Sequence, residues 1–191
     1  MRRGPSREGP GAAGLEVADR AELLRIARTA LEAQLLAVPA SALTSRPRLH
    51  EPGGAFVSLH DQHGELRGCV GHLRSERPLH ETVARMAVAA ATEDERFTRV
   101  RGADLAGLVI EISALGPLVP ARALDVEVGR HGVLLRLEGR SGVLLPQVAV
   151  EHGWDREEFL GKTAWKAGLS EDAWRRAGAE IFVFTAEVFG E

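Results

Sequence analysis

The sequence predicts an α+β fold: a mixed, antiparallel-rich sheet flanked by helices, with a smaller β-containing lobe over about residues 122–147. Three observations predict it. Helical and extended periodicities are interleaved along the chain, so both element types share a core. Extended segments separated by short turn sequences make hairpins, rather than long crossovers, the main builders of the sheet. Finally, 191 residues, 45% of them hydrophobic, can fill one domain or a large lobe with a smaller one beside it.

Each element has its own reason. Residues 1–14 are rich in Gly, Pro and Ala and offer almost nothing to bury, which predicts a disordered tail ahead of a domain at 15–191. Asp19 with Glu22 forms a capping-box pattern, and Leu23, Ile26, Ala27, Ala30, Leu31 and Leu35 follow at helical spacing until Pro39. Ala55–His60 and Glu65–Gly71 flank the turn Asp61-Gln62-His63-Gly64 as a hairpin. A helix from Pro78 carries Val83, Met86, Ala87 and Ala90 and ends before Glu93-Asp94-Glu95-Arg96. Leu108–Leu115 reads as a buried strand and Leu124–Val128 as a short one. Val133–Leu137 and Val143–Leu145 flank a turn at 138–142 as a second hairpin. Asp155 and Glu158 cap a helix carrying Phe159, Leu160 and Thr163 that stops near Gly168. Glu180–Val188 closes the chain as one alternating strand.

Composition removes several function classes. A net charge of −3 gives no general attraction for nucleic acid. No apolar run approaches the roughly 18 residues of a membrane helix, and the N-terminal stretch lacks the apolar centre of a signal peptide. One cysteine rules out a disulfide framework, which agrees with a cytoplasmic location. There is no Walker loop, dinucleotide fingerprint, Gly-x-Ser-x-Gly elbow or cysteine set for an iron–sulfur cluster.

The chemistry concentrates in Leu66-Arg67-Gly68-Cys69-Val70-Gly71. In a regular strand Arg67, Cys69 and Gly71 share one face. A four-residue turn pairing His60 with Glu65 would set Ser58 opposite Arg67 and Phe56 opposite Cys69. A guanidinium beside a thiol favours the nucleophilic thiolate, and Gly68 and Gly71 would let a ligand approach the backbone. The competing reading makes Cys69 a small buried hydrophobe with glycines that serve packing, and Arg67 a surface charge.

Other candidates rank lower. Glu111 lies within the apolar run Leu108–Ser113 and needs a partner or a cleft, an arginine ion pair being the simpler expectation. His131, in Gly129-Arg130-His131-Gly132, either reaches a cleft or is a solvated turn residue. Gln147 and Trp154 precede the Asp155-capped helix, where backbone donors can attract an anion. Asp94, Arg96 and Phe97 read as a helix-end brace or a cleft rim. His60, His63, Cys69 and His72 lack zinc-site spacing, so no metal site is expected, and no cofactor is named by any motif.

Taken together, these segments resemble the AMMECR domain family, known in prokaryotes as AmmeMemoRadiSam system protein A. The likeness runs from about Ala21 to Glu191. It rests on Ala55-Phe56-Val57-Ser58-Leu59, the hexapeptide, Glu93-Asp94-Glu95-Arg96-Phe97, Leu108–Ser113, Gly129-Arg130-His131-Gly132, Gly142–Val148, Gly153-Trp154-Asp155 and Lys166-Ala167-Gly168-Leu169. The resemblance implies an α+β fold and makes the hexapeptide the family's hallmark, with Val70 at its variable position. It also implies association with a Memo-like protein and a radical S-adenosylmethionine enzyme. Members often carry a cysteine just before the Lys-Ala-Gly-Leu segment, where this chain has Ala164 and Trp165. Two functional readings follow: an enzyme or enzyme-associated component with a cleft around Arg67 and Cys69, or a non-catalytic module that docks such a partner.

Overall fold

The computed structural model describes residues 14–39 and 43–191, so all but Gly14 of the expected tail lies outside the described residues. The chain forms two compact units, one reaching to Leu115 and including Glu187–Glu191, the other Gly116–Ala186. The second is larger than the 122–147 segment expected as a lobe. The elements are α1 (Val17–Leu36), β1 (Ala55–His60), β2 (Leu66–His72), α2 (Leu79–Thr92), β3 (Val109–Leu115), β4 (Val119–Ala121), β5 (Gly132–Leu137), β6 (Arg140–Leu144), α3 (Pro146–Glu151), α4 (Arg156–Lys166), β7 (Glu180–Phe184) and β8 (Ala186–Gly190). The α+β class holds, with two four-stranded sheets ordered β2-β1-β3-β8 and β4-β7-β5-β6.

In the first unit β1 pairs antiparallel with both β2 and β3. Alternate residues Ala55, Val57 and Leu59 of β1 and Ile110 and Ile112 of β3 turn one face toward the helices, where Leu23, Ala27 and Leu31 of α1 and Val83, Met86, Ala87 and Ala90 of α2 cover them. Each fully buried aliphatic side chain there contributes about 1.5–3 kcal/mol, which makes this face the anchor of the unit. Gly68 permits the close approach of α2: a Cβ at that position would lie 2.0 Å from the Ala90 carbonyl oxygen. The opposite face carries Phe56, Ser58 and His60, all half-buried. α1 is tied to the β8 segment by Arg20–Glu187 at 2.5 Å and by the Arg28–Glu191 ion pair.

In the second unit β5 is central, antiparallel to β6 and β7. Phe159, Leu160 and Ala164 of α4 pack with Val133, Leu135 and Val183. Gly142 plays the part that Gly68 plays in the first unit, since its Cβ would lie 2.2 Å from the Thr163 carbonyl oxygen of α4.

Three sequence expectations change. The α1 box sits three residues earlier, with Glu16 as cap and Asp19 as its third residue, accepting from the Glu16 N–H at 3.0 Å. Leu124–Val128 is not a strand: a short 3-10 turn at Ala123–Asp125 is held by the Asp125 carboxylate, which accepts from the Arg122 N–H at 2.9 Å and from its guanidinium. The strand falls at Val119–Ala121 instead, at a sheet edge where Pro120 is tolerated. The expected final strand breaks at Thr185 into β7 and β8, which belong to different sheets. By contrast, the Asp155–Glu158 box forms as read, with reciprocal bonds of 2.9 Å, and Gly168 ends that segment at φ +73°.

Candidate functional site

The register around the hexapeptide is set by a bulge. His60 pairs with Leu66 and Leu59 with Gly68, which leaves Arg67 without a cross-strand partner. The Asp61–Gly64 turn is present, with the Asp61 N–H donating to the Glu65 carbonyl at 2.9 Å. The pairing of His60 with Leu66 instead of Glu65 moves the register by one, and the bulge at Arg67 moves it by one more, so Cys69 faces Ser58 and Gly71 faces Phe56. This corrects the pairing of Ser58 with Arg67 and of Phe56 with Cys69.

Ser58 also faces Glu111 on β3. Glu111, Ser58 and Cys69 therefore form one row across three adjacent strands, on the face opposite the helices. The Ser58 hydroxyl donates to Cys69 Sγ at 3.2 Å. Cys69 is half-buried and is absent from the aliphatic core. Glu111, also half-buried, has no ion-pair partner among the described residues, so the arginine bridge expected for it is not made.

Because β2 is an edge strand, its outward backbone groups need partners. The segment after α2 provides them at Cys69. The Cys69 N–H donates to Asp94 Oδ2 at 2.8 Å, and the Cys69 carbonyl accepts from the Arg96 guanidinium at 3.2 Å. Asp94 and Arg96 are themselves paired at 2.7 and 2.9 Å, so one ion pair stands in for a neighbouring strand. With its outward groups so used, Cys69 forms a non-hydrogen-bonded pair with Ser58, the arrangement that brings facing side chains closest. The Arg96 hydrogen bond, aided by the Cys69 and Arg96 backbone N–H groups, holds the Asp94 carboxyl well below the usual carboxylate range despite its burial. Arg96 is correspondingly held charged, chiefly by Asp94, and it lies 5.2 Å from the centre of the Phe97 ring.

Comparison with known proteins places this arrangement in a family. The family model for AMMECR1 matches residues 24–189. The chain belongs to the AMMECR1 family. Among its relatives, a protein of Thermococcus gammatolerans is 40% identical over 184 residues, 88% of each chain. One of Methanopyrus kandleri is 43% identical over 156 residues, covering 75% of this chain and 74% of the relative. The crystal structure of an uncharacterized protein from Pyrococcus horikoshii superimposes with a TM-score of 0.81 at 38% identity, over 88% of this chain and 89% of that one.

Within this AMMECR1-family chain the other candidate residues separate. Arg67 makes no hydrogen bond or ion pair among the described residues; its Coulombic pull is a minor part of what lowers the Asp61 carboxyl, after the backbone N–H groups of Glu65 and His63. The cation tied to Cys69 is Arg96. Gly68 and Gly71 do not open space for a ligand, because that space is filled by the chain itself: by the Ala90 carbonyl at Gly68, and at Gly71 by the Phe56 ring, 2.3 Å from where a Cβ would sit. His131 and Gln147 belong to the second unit. His131 Nδ1 accepts from the Glu127 N–H at 3.2 Å and so locks its own turn. Gln147 Oε1, in the first turn of α3, is shielded from solvent and has no hydrogen-bond partner among the described residues.

Sequence reasoning missed that Asp94 and Arg96 serve Cys69. Their charges were visible, but that β2 is an edge strand depends on long-range topology. Among the described residues no group of three or more His, Cys, Asp or Glu side chains is placed to hold a metal ion, and no helix is long and apolar enough to cross a membrane.

Proposed function

We propose that this chain is an enzyme or an enzyme-associated component whose reacting group is the Cys69 thiol. The observation that carries the reading is the hydrogen bond from Ser58 Oγ to Cys69 Sγ, with Glu111 in register on the far side of Ser58. Side chains directly opposite on adjacent strands have Cβ atoms about 4.5–5.5 Å apart, within reach for a carboxylate and a hydroxyl. With the Ser58 hydroxyl turned toward Glu111 it would take the proton leaving Sγ and pass its own to the carboxylate; turned back toward Sγ, as observed, it donates to the nucleophilic thiolate so formed. Arg96, fixed by Asp94, supplies positive charge next to the Cys69 backbone. Association with a Memo-like protein and a radical S-adenosylmethionine enzyme, in a cytoplasmic AmmeMemoRadiSam-type system, belongs to the same proposal and rests on the family resemblance.

The non-catalytic alternative has β2 docking a partner strand. At Cys69 that edge is already occupied by Asp94 and Arg96, so strand addition there has to displace an ion pair. The thiol reading is therefore preferred. Alkylation by iodoacetamide near pH 7, mapped by mass spectrometry, tests it. Cys69 is expected to react faster than the same thiol in an unfolded peptide, and Ser58→Ala and Glu111→Gln to slow it. A native rate no higher than the peptide's rejects the reading.

A further inference from the structure

We infer that the first unit carries a binding site for a small phosphorylated molecule, separate from the thiol, between the end of β2 and the first two turns of α2. A concavity of about 420 Å³ is lined there by Arg74, Arg77, Arg85, Glu76, Ser75 and Thr82, among others. Ligand sites commonly occupy roughly 300–1,000 Å³. Three arginines and one glutamate line it, and even with Glu81 beside Arg77 the balance is positive in a chain whose net charge is −3, so the positive charge is local.

What the guanidinium groups lack is more telling than their number. Arg74 and Arg85 have no hydrogen-bond or ion-pair partner among the described residues, and Arg77 has only Glu81, at 3.7 Å with both side chains exposed. Elsewhere in the chain, the exposed Arg25, Arg96, Arg122, Arg130, Arg175 and Arg176 each hold an acid within 3.0 Å. The same concavity is lined by the hydroxyls of Ser75 and Thr82. Ser75 Oγ accepts from the Arg77 N–H at 3.1 Å and shares a hydrogen bond of 2.9 Å with the Thr82 hydroxyl, which also lies 3.2 Å from the Pro78 carbonyl, so both hydroxyls are held in place at the concavity. Guanidinium forks that can bond in pairs, together with a hydroxyl donor, match the tetrahedral oxygens of a phosphate group better than a lone planar carboxylate. The modest volume of this open depression matches a metabolite-sized phosphate ester, and an extended polyanion is disfavoured by the overall charge.

The test uses the full chain with inorganic phosphate and ribose 5-phosphate as probes, followed by phosphorus NMR and calorimetry, with ribose and citrate as controls. Saturable binding of ribose 5-phosphate, absent for ribose and stronger than for citrate, is expected. Arg74→Gln and Arg85→Gln should each weaken it about tenfold, the worth of one charge-assisted bond pair. Arg122→Gln, an exposed arginine of the second unit, should leave it unchanged. Glutamine keeps the helix propensity at position 85, and circular dichroism of each variant verifies its fold. The inference is overturned if neither phosphate probe binds saturably, if citrate binds as well as ribose 5-phosphate, or if the two pocket variants bind like the native chain.

Discussion

Replacing Asp94 by alanine tests the strand-like clamp directly. The carboxylate accepts four hydrogen bonds: from the Cys69 N–H at 2.8 Å, from the Arg96 N–H at 3.3 Å, and from the Arg96 guanidinium at 2.7 and 2.9 Å. Its side chain is 6% exposed whereas that of Arg96 is 64% exposed. The two halves of the loss therefore differ. The freed guanidinium is hydrated at once, so the exposed half of the ion pair is worth only about 0.2–1 kcal/mol. The Cys69 N–H loses a charged, shielded acceptor, which costs about 1.5–3 kcal/mol. Together the variant should lose about 2–4 kcal/mol, or about 4–16 °C in melting temperature at about 2–4 °C per kcal/mol for a chain of this size. All three tryptophans, Trp154, Trp165 and Trp174, lie in the second unit, so their emission follows that unit alone. Far-ultraviolet circular dichroism in urea and hydrogen exchange of the β2 peptide report on the first. The pH dependence has a definite sign. Asp94 titrates below its unfolded value, so its contribution is complete above about pH 4, the ordinary aspartate range, and is lost as the pH falls through the lower folded value. The gap between native chain and variant should accordingly narrow on acidification below about pH 4. A stability loss under about 0.5 kcal/mol, with exchange at β2 unchanged, refutes the clamp.

Three further outcomes are expected. Gly68→Ala should cost about 3 kcal/mol or more, because the added methyl meets the Ala90 backbone carbonyl, which cannot swing aside; urea denaturation measures it. Gly64→Ala, at φ +80° with nothing within 4 Å, should cost only about 1 kcal/mol of left-handed strain in the same experiment. In the second unit, Asp155→Ala removes the cap on the Glu158 N–H and should cost about 1 kcal/mol, seen as an earlier tryptophan transition.

Features that depend on neighbours in sequence were readable; those that depend on distant chain were not. The Asp155 box and the Gly168 stop involve only residues a turn apart, and both appear as read. Near α1 the spacing predicts a box from Asp19 to Glu22, whereas the box that forms joins Glu16 and Asp19: Arg46 reaches back to both Glu16 and Asp19, and Glu22 pairs with Arg25. That choice rests on a contact spanning 27 residues, which local spacing does not encode. The run 180–188 alternates without a break, so nothing local marks Thr185 as the point where the strand changes sheets. Its carbonyl accepts from the Gly116 N–H at 2.9 Å, another long-range contact.

The hexapeptide shows the same division inside six residues, and the division bears on function. Gly68 is required by the approach of α2 and Gly71 by the Phe56 ring, so the two glycines that drew attention to a ligand are explained by packing. Arg67 is the bulged residue, and the bulge sets which side chain faces Ser58. The Cys69 backbone is taken by Asp94 and Arg96 through groups that any residue except proline would offer. None of these demands calls for sulfur. Alanine would satisfy the edge clamp, and serine could accept the Ser58 hydroxyl as well as a thiol does. A half-buried thiol outside the aliphatic core, bonded on one side to a hydroxyl that faces an unpaired carboxylate, is thus the one component of the motif that folding leaves unexplained. That is why the reaction rate of Cys69, rather than its contribution to stability, is the quantity that decides what the motif does.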